Sequence, residues 1–422
     1  MTASDHLKIT GPEDILGFIP HSLGYWPAGS LVAMTMQGTR LGATLRVDLP
    51  DPAAATRSGP AGPAAFARSV ASYLAADHEA DGSLLAFFTE AGTDNAPWAR
   101  HLAELERALD HAGMPVRDAW LVGSDHWRNA YCTDPSCCAP PGRPVDEIRN
   151  SRLNAEMVFR GSAVGAAPGA LELSRPEPAD PAVLEAQRDW EQQFALHSRD
   201  AAQFRQVLEV WSRVLDVAAP LPTLPAALAA YLRASLCVLP WRDAVLVMTA
   251  AGPEAAERGA AEFGVFDAGV PEGAAGSGRS VALPGPVPGA FPPTPLPPLD
   301  GFPPPQVRPR RAAHTVAGYG EVLLGLAPPV PDWGRMASLE RILEQIGVAG
   351  GEAGAAALTG RGWIEWCRGK GSFAHALFSR ADEEHPGYRL AELLDELAGR
   401  GTLCGWAARK ETAWQRFEPD VA

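Results

Sequence analysis

The chain has 422 residues, 36 Lys and Arg against 50 Asp and Glu, and a formal net charge of −14. Hydrophobic residues make up 46% and charged residues 20% of the chain. This is the composition of a folded globular protein, too long for a single ordinary core, and two domains are expected. The acidic balance would repel a phosphate backbone, so nucleic acid is not an expected partner. The N-terminal MTASDHLKIT lacks a charged n-region and an apolar h-region, and no apolar run of about 18 residues occurs, so neither export nor a membrane is expected and the cytoplasm is. Six cysteines are too few for a disulfide scaffold and are expected as thiols.

Thr10, Pro12 and Glu13 read as a capping box that opens a short helix through Ile15, Leu16, Phe18 and Ile19, with Pro20 closing it. The runs 30–36 and 41–49, separated by Gly38, read as a hairpin, and the second alternates Leu45, Val47 and Leu49 with Thr44, Arg46 and Asp48. Helical spacing over 63–77 and 97–112 then alternates with buried-type strands over 83–89 and 117–124. This alternation predicts an α/β domain over 1–170 with a mixed, largely parallel sheet and flanking helices. A loop at 129–144, with three cysteines and four prolines, interrupts the pattern.

From Asp180-Pro181 the spacing becomes that of long helices, with Phe204, Val207, Leu208, Trp211 and Leu215 on one face and a further helix over 224–239, in a helical region assigned to 171–270. Thirteen of the 40 prolines fall within 271–309, which predicts a Pro/Gly-rich linker over 271–311. A helical C-terminal domain over 312–422 follows, with helices at 335–346, 353–368, 372–384 and 387–399. Trp363, Gly369, Ala374, Phe378 and Pro386 follow the order of one tetratricopeptide-like helix pair, although a small bundle that uses small residues where helices cross is the simpler reading, because stacked repeats usually need about three units. The fold class is thus an α/β domain followed by an all-α half.

Three blocks stand in a fixed order. The first is Ile19-Pro20-His21-Ser22-Leu23-Gly24-Tyr25-Trp26-Pro27 with Ser30-Leu31-Val32 and Leu45-Arg46-Val47-Asp48-Leu49-Pro50. The second is Cys132-Thr133-Asp134-Pro135-Ser136-Cys137-Cys138 with Gly142, and the third runs from Trp366 to Leu394 and contains Pro386-Gly387-Tyr388-Arg389-Leu390-Ala391. Together they resemble the actinobacterial domain-of-unknown-function family 4192 over nearly the whole chain. Trp241-Arg242-Asp243 also resembles a family position, and 271–309 looks like an insertion. The resemblance implies a cytoplasmic architecture and carries no activity.

Two constellations are candidate sites. Cys132, Cys137 and Cys138, with His126 or an aspartate as fourth ligand, could hold zinc, although adjacent cysteines diverge and a structural or redox loop thiol is the simpler reading. Arg46 and Asp48 share a strand face, while Ser124, Asp125 and Arg128 lie past the end of another strand, where open α/β sheets bind ligands. If those strands are neighbours, the groups converge on an anionic or zwitterionic ligand; otherwise they tie the cysteine loop to the sheet through salt bridges. No G-x-S-x-G motif occurs, and Gly369-Lys370-Gly371 lacks the strand and glycine loop of a phosphate cradle. The expected function is a binding module for a partner protein or small ligand, using the helical half as its surface. The alternatives are an enzyme acting on a small polar molecule near Arg46, Asp48 and Asp125, and a zinc-stapled scaffold.

Overall fold

In the computed structural model, Pro12 at the first helical position and Glu13 and Asp14 in the first turn start helix α1 (Pro12–Leu23). Its N-cap is Gly11, and the expected Thr10 cap is not used. Thr10 instead donates its N–H (2.9 Å) and hydroxyl (2.6 Å) to Asp14. Asp14 also accepts the N–H of Leu153, and these bonds hold its carboxyl below the usual range although burial works against ionisation. Pro20 lies inside α1 and does not close it. Gly24 does, in the left-handed region at φ 89°, donating its N–H to Pro20 O. A proline one turn from the helix end removes a single N–H from the ladder, which the last turn tolerates.

The structure describes residues 9–50, 62–90, 93, 96–134, 136, 138–168, 180–217, 223–266, 293–302, 304, 318–409 and 411–414, and the chain divides into two compact units, 1–171 and 172–422. In the first unit the hairpin pairs β1 (Ser30–Gln37) with β2 (Arg40–Asp48), Ser30 opposite Asp48. Then come α2 (Pro63–Leu74), β3 (Gly82–Phe88), α3 (Ala99–His111), β4 (Val116–Val122), β5 (His126–Asn129), β6 (Arg143–Pro144), α4 (Asp146–Arg149) and α5 (Arg152–Phe159).

The sheet order is β2-β1-β3-β4-β5-β6. The expectation of a largely parallel sheet is corrected, because only β3 and β4, joined through α3, run parallel and the other four pairings are antiparallel. Strand–helix alternation reports that helices intervene, not which strand the chain returns to. After α2, β3 pairs with β1 and not with β2, and the β4–β5 connection is a tight turn. The expected loop at 129–144 is bounded by the paired ends of β5 and β6.

The sheet separates two apolar layers. Leu31, Ala33, Leu85, Phe87, Ala119 and Leu121 face α2 and α3. Val32, Met34, Ala86, Phe88, Trp120 and Trp127 face Leu16 and Ile19 of α1 and Ile148 of α4. Alternation along each strand produces both faces, as period-2 side-chain geometry requires.

The second unit comprises α6 (Pro181–His197), α7 (Ala201–Leu215), α8 (Ala226–Cys237), α9 (Leu239–Ala251), α10 (Pro253–Glu262), α11 (Tyr319–Leu323), α12 (Trp333–Gly347), α13 (Gly351–Cys367), α14 (Gly371–Glu384) and α15 (Arg389–Gly399). Asp180, Asp200 and Asp332 cap α6, α7 and α12 with their carboxylates. One core runs through the unit from Phe194 to Trp406 and draws on both sides of the proline-rich stretch. Residues 271–292 of that stretch, with 303 and 305–309, lie outside the described residues. Within it, Thr294 is buried against α7, donating its N–H to Gln203 (2.7 Å) and accepting from Gln206, and Phe302 enters the core.

Helix α13 is buried on nearly every side at the centre of the bundle. Gly362 allows this, since a Cβ there would run into the ring of Phe378 on α14. The residues of the tetratricopeptide-like pattern therefore lie on α13, on α14 and at their two ends. Among the described residues no single helix is long and apolar enough to cross a membrane; α8 and α9 are apolar together but bent by 107° and packed in the core.

Candidate functional site

The sheet-end constellation does not converge. Arg46 donates to Asp48 (2.6 Å) and to Ser30 Oγ (2.9 Å), with Arg46 20% and Asp48 80% exposed. Asp48, Ser30, Phe88 and Val122 are level in the sheet, so the ends carrying Asp48 and Ser124-Asp125 are the same end. However, β1 and β3 lie between β2 and β4, and three inter-strand steps separate them by about 14 Å. The strands are not neighbours, which was the condition for a shared site. Ser124 and Asp125 occupy the exposed β4–β5 turn and bond to each other (2.8 Å). Arg128 is opposite Leu121 and so projects from the α2–α3 face, whereas Arg46, opposite Val32, is on the α1 face.

The cysteine loop is tied down by polar contacts. Arg128 donates to Cys132 O (3.3 Å), Cys138 N–H to Asp134 O (2.9 Å), and Thr93 Oγ1 to Pro141 O. Arg143 stacks 4.7 Å over Trp127 and reaches Glu147 (2.6 Å) and Glu13 (3.6 Å), joining β6 to α4 and α1. Cys138 is buried and Cys132 half-buried, while Cys137 lies outside the described residues. Among the described residues no three His, Cys, Asp or Glu side chains gather as a metal site.

A different polar chain crosses the α1 layer. His21 is 3% exposed, with Nε2 2.7 Å from Asn154 Oδ1 and Nδ1 2.9 Å from Ser162 Oγ. Asn154 Nδ2 donates to Arg149 O, which turns its Oδ1 towards the imidazole. That oxygen can only accept, so Nε2 carries a proton, and in the neutral imidazole Nδ1 then accepts the Ser162 hydroxyl. The result is a buried Ser–His–Asn relay of hydrogen bonds. Sequence reading missed it because the three residues are 133 and 141 positions apart in the pairs that bond. The only signal was His21 inside the first quoted block.

In the helical unit two quoted blocks meet. Arg242 bonds Asp243 (2.8 and 2.7 Å) and donates to Tyr388 OH (2.7 Å), bringing the Trp241-Arg242-Asp243 segment of α9 to the Pro386-to-Ala391 segment. A second network gathers Glu340 and Glu365 on one Arg368 nitrogen (2.8 and 2.5 Å), with Lys370 on Glu365 (3.1 Å). Burial pushes the Glu340 carboxyl up, against the pull of Arg368 and with the like charge of Glu365 adding to the rise.

A trough with a cavity volume of about 470 Å³ runs between α7 and α10. Phe204, Ala261 and Phe266 supply apolar surface, and Arg205, Glu254, Glu257 and Arg258 supply charge. Positions 254, 257, 258 and 261 share one face of α10 by helical spacing.

The family model described as Domain of unknown function (DUF4192) matches residues 12–261 and 337–402. The chain belongs to this family. No curated protein and no solved structure gives a significant match. The DUF4192 match includes the His21 relay, the Arg242–Tyr388 link and the α7–α10 trough up to Ala261, and it leaves out 262–336, which contains the proline-rich stretch.

Proposed function

We propose that this DUF4192 protein is a cytoplasmic binding module whose helical unit takes a segment of a partner protein in the α7–α10 trough. The observation that carries the reading is the trough itself. Its volume falls in the range of ligand sites, roughly 300–1,000 Å³. It combines Phe204, Ala261 and Phe266 with two arginines and two glutamates. Such a lining suits an apolar side chain flanked by opposite charges, with the guanidinium of Arg258 or Arg205 taking a carboxylate. Arg205 and Glu257, 3.6 Å apart and largely exposed, can exchange each other for a partner's charges at little cost.

The experiment is panning of a displayed library of linear 12-residue peptides on the full chain and on the Arg205→Glu, Arg258→Glu double variant. Enriched sequences with an apolar centre and charged flanks, bound by the parent and not by an equally stable variant, support the reading. Absence of enrichment, or equal binding by both proteins, refutes it.

A second reading is favoured by the Ser162–His21–Asn154 relay, which has the hydrogen-bond order of an activated hydroxyl nucleophile for acyl transfer. Ser162 is 3% exposed, so the same bonds pin α1 to α5 and the following loop. A fluorophosphonate adduct located on Ser162 and lost in His21→Ala would favour the enzyme; an unlabelled chain leaves the relay as a pin.

A further inference from the structure

The two edges of the sheet are built differently. Strand β6 has two residues, Arg143 and Pro144, and the proline offers no N–H. Strand β2 has nine, Arg40 to Asp48, and only β1 pairs with it. Leu49 donates its N–H to Gly29 O (2.8 Å), so in the antiparallel ladder Leu45, Val47 and Leu49 turn their backbone groups to β1. Thr44, Arg46 and Asp48 turn theirs outward, and among the described residues nothing bonds to those outer groups.

The open stretch has defined limits. At one end Gly42 and Ala43 bulge opposite Thr35, whose hydroxyl takes the Ala43 N–H (2.7 Å), and at the other Pro50 ends the run of donors. Between them Leu45, Val47 and Leu49 are only partly buried against the α2–α3 layer, while Arg46 and Asp48 lie side by side on the other face. An edge with free backbone groups, half-covered apolar side chains and no proline is a template for another strand.

We propose that β2 joins β2 of a second copy of this chain, antiparallel, and continues the sheet across a twofold axis at Val47. Outward residues must face outward residues in such a ladder, so neighbouring registers differ by a shift of two residues. A register with Arg46 facing Arg46, or Asp48 facing Asp48, opposes like charges. The register between them sets Arg46 against Asp48 of the second copy, and the axis then sets Asp48 against Arg46 as well, so both cross-strand pairs are of opposite sign. Asp48 is 80% exposed and can turn from its own Arg46 to that of the copy. The same register places Val47 against Val47 and Leu45 against Leu49, which carries the half-covered apolar row from one copy to the other on the α2–α3 face. Thr44 N–H meets the Pro50 carbonyl, the last outward donor in the stretch. The charges thus select one register with one partner, the chain itself. A join of one strand from each copy is a small interface, and micromolar association is expected.

The test follows the mass of the full chain by sedimentation equilibrium between about 1 and about 100 µM, the span of weak homodimer affinities. Dimerisation within that range is expected, with hydrogen exchange slowing at 44–49 as concentration rises. Two charge variants are then compared alone and mixed. Asp48→Arg sets arginines against each other across the join and Arg46→Asp sets aspartates against each other, so each alone should raise the dissociation constant about tenfold. An equimolar mixture restores both opposite pairs and should associate about as tightly as the parent. Asp48→Pro removes an outward N–H and leaves the ladder to β1 intact, so it should abolish the dimer without shifting the melting transition. A parent chain still monomeric at about 100 µM, a mixture no tighter than either variant alone, or concentration-dependent protection elsewhere in place of 44–49 overturns the proposal. The exchange measurement on the parent chain decides the matter even where a variant fails to fold.

Discussion

Replacing Arg233 with methionine should cost the helical unit about 3–5 kcal/mol, the range for removing one partner from a buried charged network. Arg233 lies on α8 and is 2% exposed. Its Nε donates to Gln187 Oε1 (2.7 Å), and its two terminal nitrogens donate to Ile346 O and to Gly350 O (2.8 Å). Those two carbonyls belong to the last turn of α12 and the connection to α13, where carbonyls lack intrahelical partners and the helix dipole is negative. Burial pulls the pKa of Arg233 down from its usual value, with Cys237 and Glu191 pulling it up. Methionine keeps the apolar stem and removes every donor. Three buried acceptors are then left unpaired at about 1–3 kcal/mol each, offset by no longer burying a charge. Urea unfolding followed by far-ultraviolet circular dichroism reads the loss at constant m value. Arg400→Met, at an exposed position paired with Glu396, is the control and should leave the midpoint where it was. A loss below about 1 kcal/mol for Arg233→Met would refute the capping account, since the three acceptors would then have found other donors.

His101 is wholly buried between Phe66 and Trp98, and burial, with Arg100 adding to it, holds its imidazole below the usual value of 6.5. The unfolded chain then binds the extra proton, so stability of the α/β unit should fall as pH drops through about 6.5 and level off below the folded value. In His101→Phe this part of the slope should disappear, which melting curves at pH 5 and 8 would show; an unchanged slope refutes the assignment. Arg46→Ala should cost only about 1–2 kcal/mol, one hydrogen bond to Ser30 and one ion pair with a largely exposed Asp48, and a loss above about 3 kcal/mol would reveal an internal network instead. Protein purified without chelator should carry less than about a tenth of an equivalent of zinc by elemental analysis, whereas a full equivalent would make Cys132, Cys137 and Cys138 a ligand set.

Much of the element order is legible in the residues. The hairpin around Gly38, the strands at 82–88 and 116–122 and the helices α2, α3, α6, α7 and α12 to α15 fall within a few residues of their sequence expectations, because periods of 2 and 3.6 are local properties of the chain. The polar face of β2 is legible for the same reason. The start of α6 is local too, since Asp180 reaches an N–H group only two residues on.

What failed is what depends on the path of the chain. Whether Arg46 and Asp125 share a site is decided by which strands lie between β2 and β4, and whether Arg128 joins them is decided by the face on which Leu121 lies. Neither is encoded in spacing along the strand. The antiparallel character of the sheet has the same origin, since a helix between two strands does not specify their pairing. The cysteine cluster drew attention because its members are close in sequence, which says nothing of which side chains the fold brings to them. The sequence by itself determined composition class, many of the elements, the start of α6 and the family. Tertiary structure alone decided the contacts of His21 with Asn154 and Ser162, of Arg233 with the end of α12, and of Arg242 with Tyr388. A hydrogen bond requires two groups within about 3 Å, and for residues more than a hundred positions apart only the packed fold can supply that distance.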